Sequence, residues 1–158
     1  MLFDSRFVGF SFPMPLIQWS PALEVGVEEI DHQHKVLVAI LNRLHDAINE
    51  GQAESQLNWI LKELEHYTDY HFATEEALMK AHKYEFAEFH KADHLSMILR
   101  IRDFLNDLDH HFVSPQMVLD FLQHWLLSHI AGADRHLGEV ICATVATPPL
   151  QQGEAFPA

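Results

Sequence analysis

"EEIDHQHKVLVAIL", residues 28–41, places two histidines two positions apart, His32 and His34. Residues two apart do not share a helix face. Apolar residues recur at positions 27, 30, 37, 38, 41, 44 and 48, the spacing of an amphipathic helix. Ile30 lies one turn before His34, and Leu37 and Val38 lie one turn after it. His34 therefore belongs to the apolar stripe, whereas His32 falls among Glu28, Lys35 and Arg43 and faces outward. The stretch reads as a helix that turns one histidine into a core.

The same period continues outward from it. No proline occurs between Ala22 and Ser114, and that interval is dense in helix formers. Four helices are expected. The first runs from about Glu28 to Asn49, and Gly51 breaks it. The second runs from Ser55, read as an N-cap, to about Lys80, with Leu57, Ile60, Leu61, Leu64 and Tyr67 on one face. The third runs from about Tyr84 to Asp109, with Phe86, Ile98, Ile101, Leu105 and Leu108 on its apolar side. Ser114-Pro115 is a helix start, serine as N-cap and proline first in the helix. The fourth helix then reaches about Ile130, with Gly132 as its stop. Short connections between four helices argue for an all-α, antiparallel up-down-up-down bundle. It is expected over residues 19–140, between an apolar extension at 1–18 and a tail at 141–158.

The 158 residues suffice for one domain with a sizeable core. A net charge of −13 is repelled by nucleic acid and anionic lipid, so neither is an expected partner, and it keeps the protein soluble. Cys142 is the only cysteine, which fits a reducing, cytoplasmic setting. The start, "MLFDSRFVGFSFPMPLIQW", is rich in phenylalanine but holds Asp4, Arg6, Pro13 and Pro15, and it does not read as a signal peptide. No apolar run is long enough to span a membrane. Thirteen histidines are many for such a chain, and their placement decides what they mean.

His71 lies seven after Leu64 on the core face of the second helix, with Glu75 one turn further along. His90 and His94 continue the stripe that leads to Met97, Ile98 and Ile101. His129 shares a face with Leu122 and Trp125, while His66 and His124 point away. Taken singly, each of these histidines reads better as a core histidine bonded to a backbone carbonyl. A core-facing carboxylate is rarer, because burying an unpaired charge is costly. Depth joins them: His34 is early in the first helix, His71 and Glu75 late in the second, His90 and His94 early in the third, His129 late in the fourth. In an up-down-up-down bundle these places meet in one layer. His45 also lies on the inner stripe, but eleven residues beyond His34 and so roughly 16 Å away along the axis. Asp134 is the next carboxylate after His129. On a regular helix five residues turn it about 140° away, and a helix ending near Gly132 is one way to bring it back.

Two other site patterns fail on register or coverage. Glu29-x-x-His32 and Glu63-x-x-His66 match the Glu-x-x-His of carboxylate-rich di-iron bundles, but Glu29, His32 and His66 face outward. His90-x-x-x-His94 alone suits zinc and leaves the other inward residues unexplained. There is no P-loop, Rossmann glycine motif, HExxH or CxxC.

Four segments, "WSPALEVGVEEIDHQH" (19–34), "HFATEEALM" (71–79), "HKADH" (90–94) and "WLLSHIAGAD" (125–134), resemble the hemerythrins, in particular the single-domain bacterial ones. The resemblance covers roughly Trp19 to Leu137. It implies a four-helix bundle around two iron ions. His90, His94 and His129 would bind one iron, His34 and His71 the other. Glu75 and Asp134 would bridge them beside an oxo or hydroxo oxygen. The second iron would then keep a position open for dioxygen, held reversibly as hydroperoxide. Leu126, Leu127 and Ile130 flank His129 and would line a dry pocket for it. The expected function is oxygen carriage or storage by a protein that is not an enzyme. Alternatives are an oxygen or redox sensor, its apolar leader docking a protein partner, and a di-iron enzyme acting on peroxide or nitric oxide.

Overall fold

Helix α1 spans Glu28–Asn49, the limits its apolar period predicts. Three acidic residues, Glu28, Glu29 and Asp31, occupy its first turn, where they favour the positive end of the helix dipole. Asp31 also accepts hydrogen bonds from the backbone N–H groups of Val25 (2.7 Å) and Gly26 (3.1 Å), which fixes the angle at which the chain enters. Ile30, Leu37 and Leu44 are fully buried along the inner face, each such side chain contributing about 1.5–3 kcal/mol. Gly51 turns the chain with φ 69°, a left-handed conformation that glycine adopts without strain.

The computed structural model describes residues 14–108 and 112–146. After α1 come α2 (Ala53–Ala81), α3 (Ala87–Leu108) and α4 (Pro115–His129). A π-helical turn at Ile130–Asp134 then leads into α5 (Arg135–Ala146) without a break in direction. With α4 and α5 forming one rod, the four-helix bundle stands. α1 packs on α2 and α4, and α2 packs on α3. α3 meets α4 through Phe104 and Phe121, whose rings lie 5.5 Å apart. Among the described residues, no helix is long and apolar enough to cross a membrane.

Several expected boundaries move. α2 begins at Ala53 after Gln52. Ser55 lies inside the helix, where its hydroxyl donates to the Gln52 carbonyl and caps nothing. α3 begins at Ala87, because Lys83 takes φ 52° and turns the chain before Tyr84. Phe86 therefore sits in the turn, 46% exposed, and not on the apolar face of α3. Ser114 does cap α4, accepting from the Met117 N–H at 3.3 Å, with Pro115 first in the helix. Gly132 does not stop the rod, which continues to Ala146 through residues 141–146 of the expected tail. Residues 1–13 and 147–158 lie outside the described residues.

Before α1 the chain forms an arm. Arg135 of α5 donates to the carbonyls of Ala22 (2.6 Å) and Glu24 (3.3 Å). Ile17 exchanges two hydrogen bonds with the side chain of Asn42, both 2.9 Å. Gly138 lets the arm lie close: a Cβ there would stand 2.2 Å from the Val25 carbonyl oxygen.

Candidate metal centre

The register that builds the bundle turns seven titratable side chains into one layer near one end. His34, His71, Glu75, His90, His94, His129 and Asp134 are all buried. The first six follow from helix phase alone. Asp134 does not, and the π-helical turn supplies the reason. An i→i+5 turn widens the helix by one residue, so positions five apart return to the same face. His129 and Asp134 bracket that turn and both point inward.

Each carboxylate divides its two oxygens between two sets of histidines. Glu75 Oε1 faces His71 Nε2 at 3.7 Å, while Oε2 faces His90 and His94 Nε2 at 3.4 and 3.0 Å. Asp134 Oδ2 faces His34 Nε2 at 3.1 Å, while Oδ1 faces His90 and His129 Nε2 at 3.0 and 3.2 Å. Two donor groups result. One is His90, His94 and His129, the other His34 and His71, and both share Glu75 and Asp134. Within each group the ligand atoms lie no more than 4.8 Å apart. Both oxygens of each carboxylate, and Nε2 of His34 and of His94, have no hydrogen-bond partner although they are buried. Buried polar atoms are ordinarily satisfied, and a cation between the two groups would satisfy these. The donors, imidazole nitrogen with carboxylate oxygen, suit iron as well as manganese or zinc.

The outer side of the site orients the rings. His71 Nδ1–H donates to Gln33 Oε1 at 2.9 Å, and Gln33 Nε2 donates to Thr74 Oγ1 at 3.2 Å. Gln33 is buried between the two histidines of the opening segment. Sequence reading missed it, because a glutamine next to an inward histidine carries no signal until α2 is set beside it. His94 Nδ1 lies 3.6 Å from Glu76 and His129 Nδ1 lies 4.0 Å from Asp93. Phe72 stacks on His94 with ring centres 3.8 Å apart, and Trp125 stacks on His129 at 4.3 Å.

Burial lowers His71, His94 and His129 to about 4, outweighing the pull of the nearby carboxylates. These rings are therefore neutral near pH 7 and ready to bind a cation. Burial also acts to lower His90, but its close approach to the Asp134 and Glu75 carboxylates prevails and raises it to about 9. Asp134 is held well below the usual carboxylate range: burial opposes this, and the contacts with His34 and His90 outweigh it.

The remaining singled-out residues fall as follows. His32, His66, His124 and Glu29 are exposed, and Glu63 pairs with Arg43 on the flank. His45 is half-buried beside Asn49 and does not face the core. Leu126 and Ile130 are buried. Leu127 is half-buried and lines a surface cavity of about 280 Å³ with Asp120, Gln123, His124 and Ser128.

A family model described as the hemerythrin HHE cation binding domain matches residues 25–141. The chain belongs to the hemerythrin family. Among its relatives is a bacteriohemerythrin of Pseudomonas aeruginosa, 33% identical over 121 residues, 77% of this chain and 78% of the relative. The Myohemerythrin-1 of Phascolopsis gouldii is 30% identical over 126 residues, covering 79% of this chain and 93% of that one. The crystal structure of a wild-type hemerythrin aligns with a TM-score of 0.73 at 28% identity, over 80% of this chain and 98% of its own. In this chain the inward donors come from all four rods of the bundle.

Proposed function

We propose that the two donor groups hold two iron ions and that the protein binds dioxygen reversibly, as a carrier or store and not as an enzyme. The observation that carries this reading is the split of Glu75 and Asp134, one oxygen toward each set of histidines. Such a split suits two cations sharing both carboxylates. The sets are unequal. His90, His94 and His129 give three nitrogens, His34 and His71 only two, so the second set leaves room for a small ligand. Two ferrous ions held by these residues would supply the two electrons that reversible dioxygen binding requires.

The chain supplies the surroundings. Gln33 holds the proton of His71 on Nδ1 and so keeps Nε2 free to coordinate. Phe72 and Trp125 fix the rings they cover. Leu126 and Ile130, both buried near His129 in sequence, would exclude water there, whereas Leu127 lines a surface cavity. The imidazole-rich donor set favours release of intact dioxygen over its cleavage, since carboxylates stabilise oxidised iron better than neutral imidazoles do.

An iron assay combined with a visible spectrum tests this. The protein is reduced without air, exposed to air, and returned to vacuum. Two irons per chain and an absorption band that appears and disappears with oxygen are expected. A band that forms once and decays to a ferric spectrum would remove the carrier reading, and absence of iron would remove the metal assignment.

A further inference from the structure

Helix α3 carries apolar side chains on two faces, and the bundle uses only one of them. Its inner face buries His90, His94, Met97, Ile101 and Phe104. On the outer face Phe89, Leu95 and Leu99 are 77%, 56% and 51% exposed, and Ala92 and Ser96 are exposed between them. At 100° per residue, Ala92 and Leu99 point within about 20° of one another, and Phe89 and Leu95 flank them on either side. Three large apolar side chains on one continuous strip mark an interaction surface, whereas single exposed ones would need no explanation. The metal centre makes no use of them.

Charge selects the occupant. The chain carries −13 overall, which keeps copies apart. α3 is close to balanced, with Glu88, Asp93, Asp103 and Asp107 against Lys91, Arg100 and Arg102. Its charges are also ordered along the axis: Glu88 stands at the start, Arg100 and Arg102 toward the end. An antiparallel pair of α3 helices, related by a two-fold axis between Leu95 and Ser96, sets the start of one against the end of the other. Glu88 then faces Arg102 of the second copy. Phe89 faces Arg100 of the second copy, a guanidinium that already lies 4.4 Å from the centre of the Phe104 ring. Leu99 meets Ala92, whose small side chain leaves room for it. A parallel pair would bring like charges together. The strip thus matches itself, as a two-fold interface requires.

We propose that the outer face of α3 binds a second copy of this chain as an antiparallel helix pair. The 22 residues of α3 form a strip about 33 Å long and 10–12 Å wide. Its area is about half of the roughly 800 Å² that each partner gives to a standard interface. The pair is therefore reversible and forms at raised concentration. His90 and His94 lie on the opposite face of the same turns, so pairing sets the two metal layers back to back. The pairing does not depend on which metal or gas the centre binds.

Sedimentation equilibrium of the full chain at about 10 µM and about 1 mM, the span of a weak association, tests this. The mass is expected to rise from 18.2 kDa toward twice that value. Leu99→Glu changes an exposed position and is expected to keep the mass of one chain at both concentrations, with unchanged helical circular dichroism. A single-chain mass for the unaltered protein at the higher concentration would overturn the proposal, as would a dimer that Leu99→Glu leaves intact. A second measurement reads the register. In a Cys142→Ser background, Ser96→Cys sets two thiols beside the two-fold axis, whereas Asn106→Cys sets them about 30 Å apart along it. Mild oxidation is expected to join the Ser96→Cys chains and to leave the Asn106→Cys chains single. Links through Asn106→Cys, or none in either variant, rule the antiparallel pair out.

Discussion

At the scale of single residues, the site depends on where protons sit. Gln33 is an amide and cannot take the His71 proton, so Nδ1–H stays in place. Replacing Gln33 with Leu would leave that N–H buried without a partner. Metal affinity is expected to fall 10–100-fold with the helical circular dichroism unchanged, read by competition with a coloured chelator. The shifted histidines also give the metal-free protein a pH signature. His71, His94 and His129 have folded values near 4 against 6.5 unfolded, so they bind fewer protons when folded. Their stability is present above pH 6.5 and is lost as pH falls toward 4, at up to about 4 kcal/mol per pH unit for three groups. His90 has the opposite sign, with a folded value near 9. Its contribution is full below pH 6.5 and is lost as pH rises through 9, at up to about 1.4 kcal/mol per unit. Stability of the metal-free protein is therefore expected to peak near pH 6.5 and to fall more steeply on the acid side. Urea midpoints between pH 5 and 9 measure this, and a flat profile would refute the proton assignments.

Among the elements, the α4–α5 rod is the least ordinary. Gly138→Ala would drive a methyl group into the Val25 carbonyl. A loss of about 1–3 kcal/mol is expected, seen as a lower denaturation midpoint, because backbone has to move. The rod also marks the limit of what the sequence discloses. α1 was legible end to end, since its apolar residues keep one phase and Gly51 closes it. The inward turn of His34, His71, Glu75, His90, His94 and His129 was legible for the same reason. The inward turn of Asp134 was not, because a π turn has no composition signature and Gly132 imitates a stop. The start of α3 was shifted because the turn rests on Lys83 in a left-handed conformation, where neither glycine nor proline announces it. Gln33 was hidden because its partner lies 38 residues away, on another helix.

Considered as a whole, the molecule gathers donors from α1, α2, α3 and the α4–α5 rod into one layer. A cation bound there stabilises only the folded chain. At metal one hundred times above its dissociation constant the gain is about 2.7 kcal/mol per site, which for a domain of this size raises the melting temperature by about 5–10 °C. Calorimetry with and without ferrous iron, followed by a chelator to reverse the shift, checks it. An unchanged melting temperature would mean that the seven side chains hold nothing. The turn at Gly51 follows the stretch of α1 from His34 to Asn49, a rise of 15 residues and about 22 Å along the helix. That separation makes the chain a natural carrier for grafts. A peptide or reporter spliced in at Gly51 would ride on a rigid post whose other end holds the seven buried donors, so attachment and chemistry can be engineered separately.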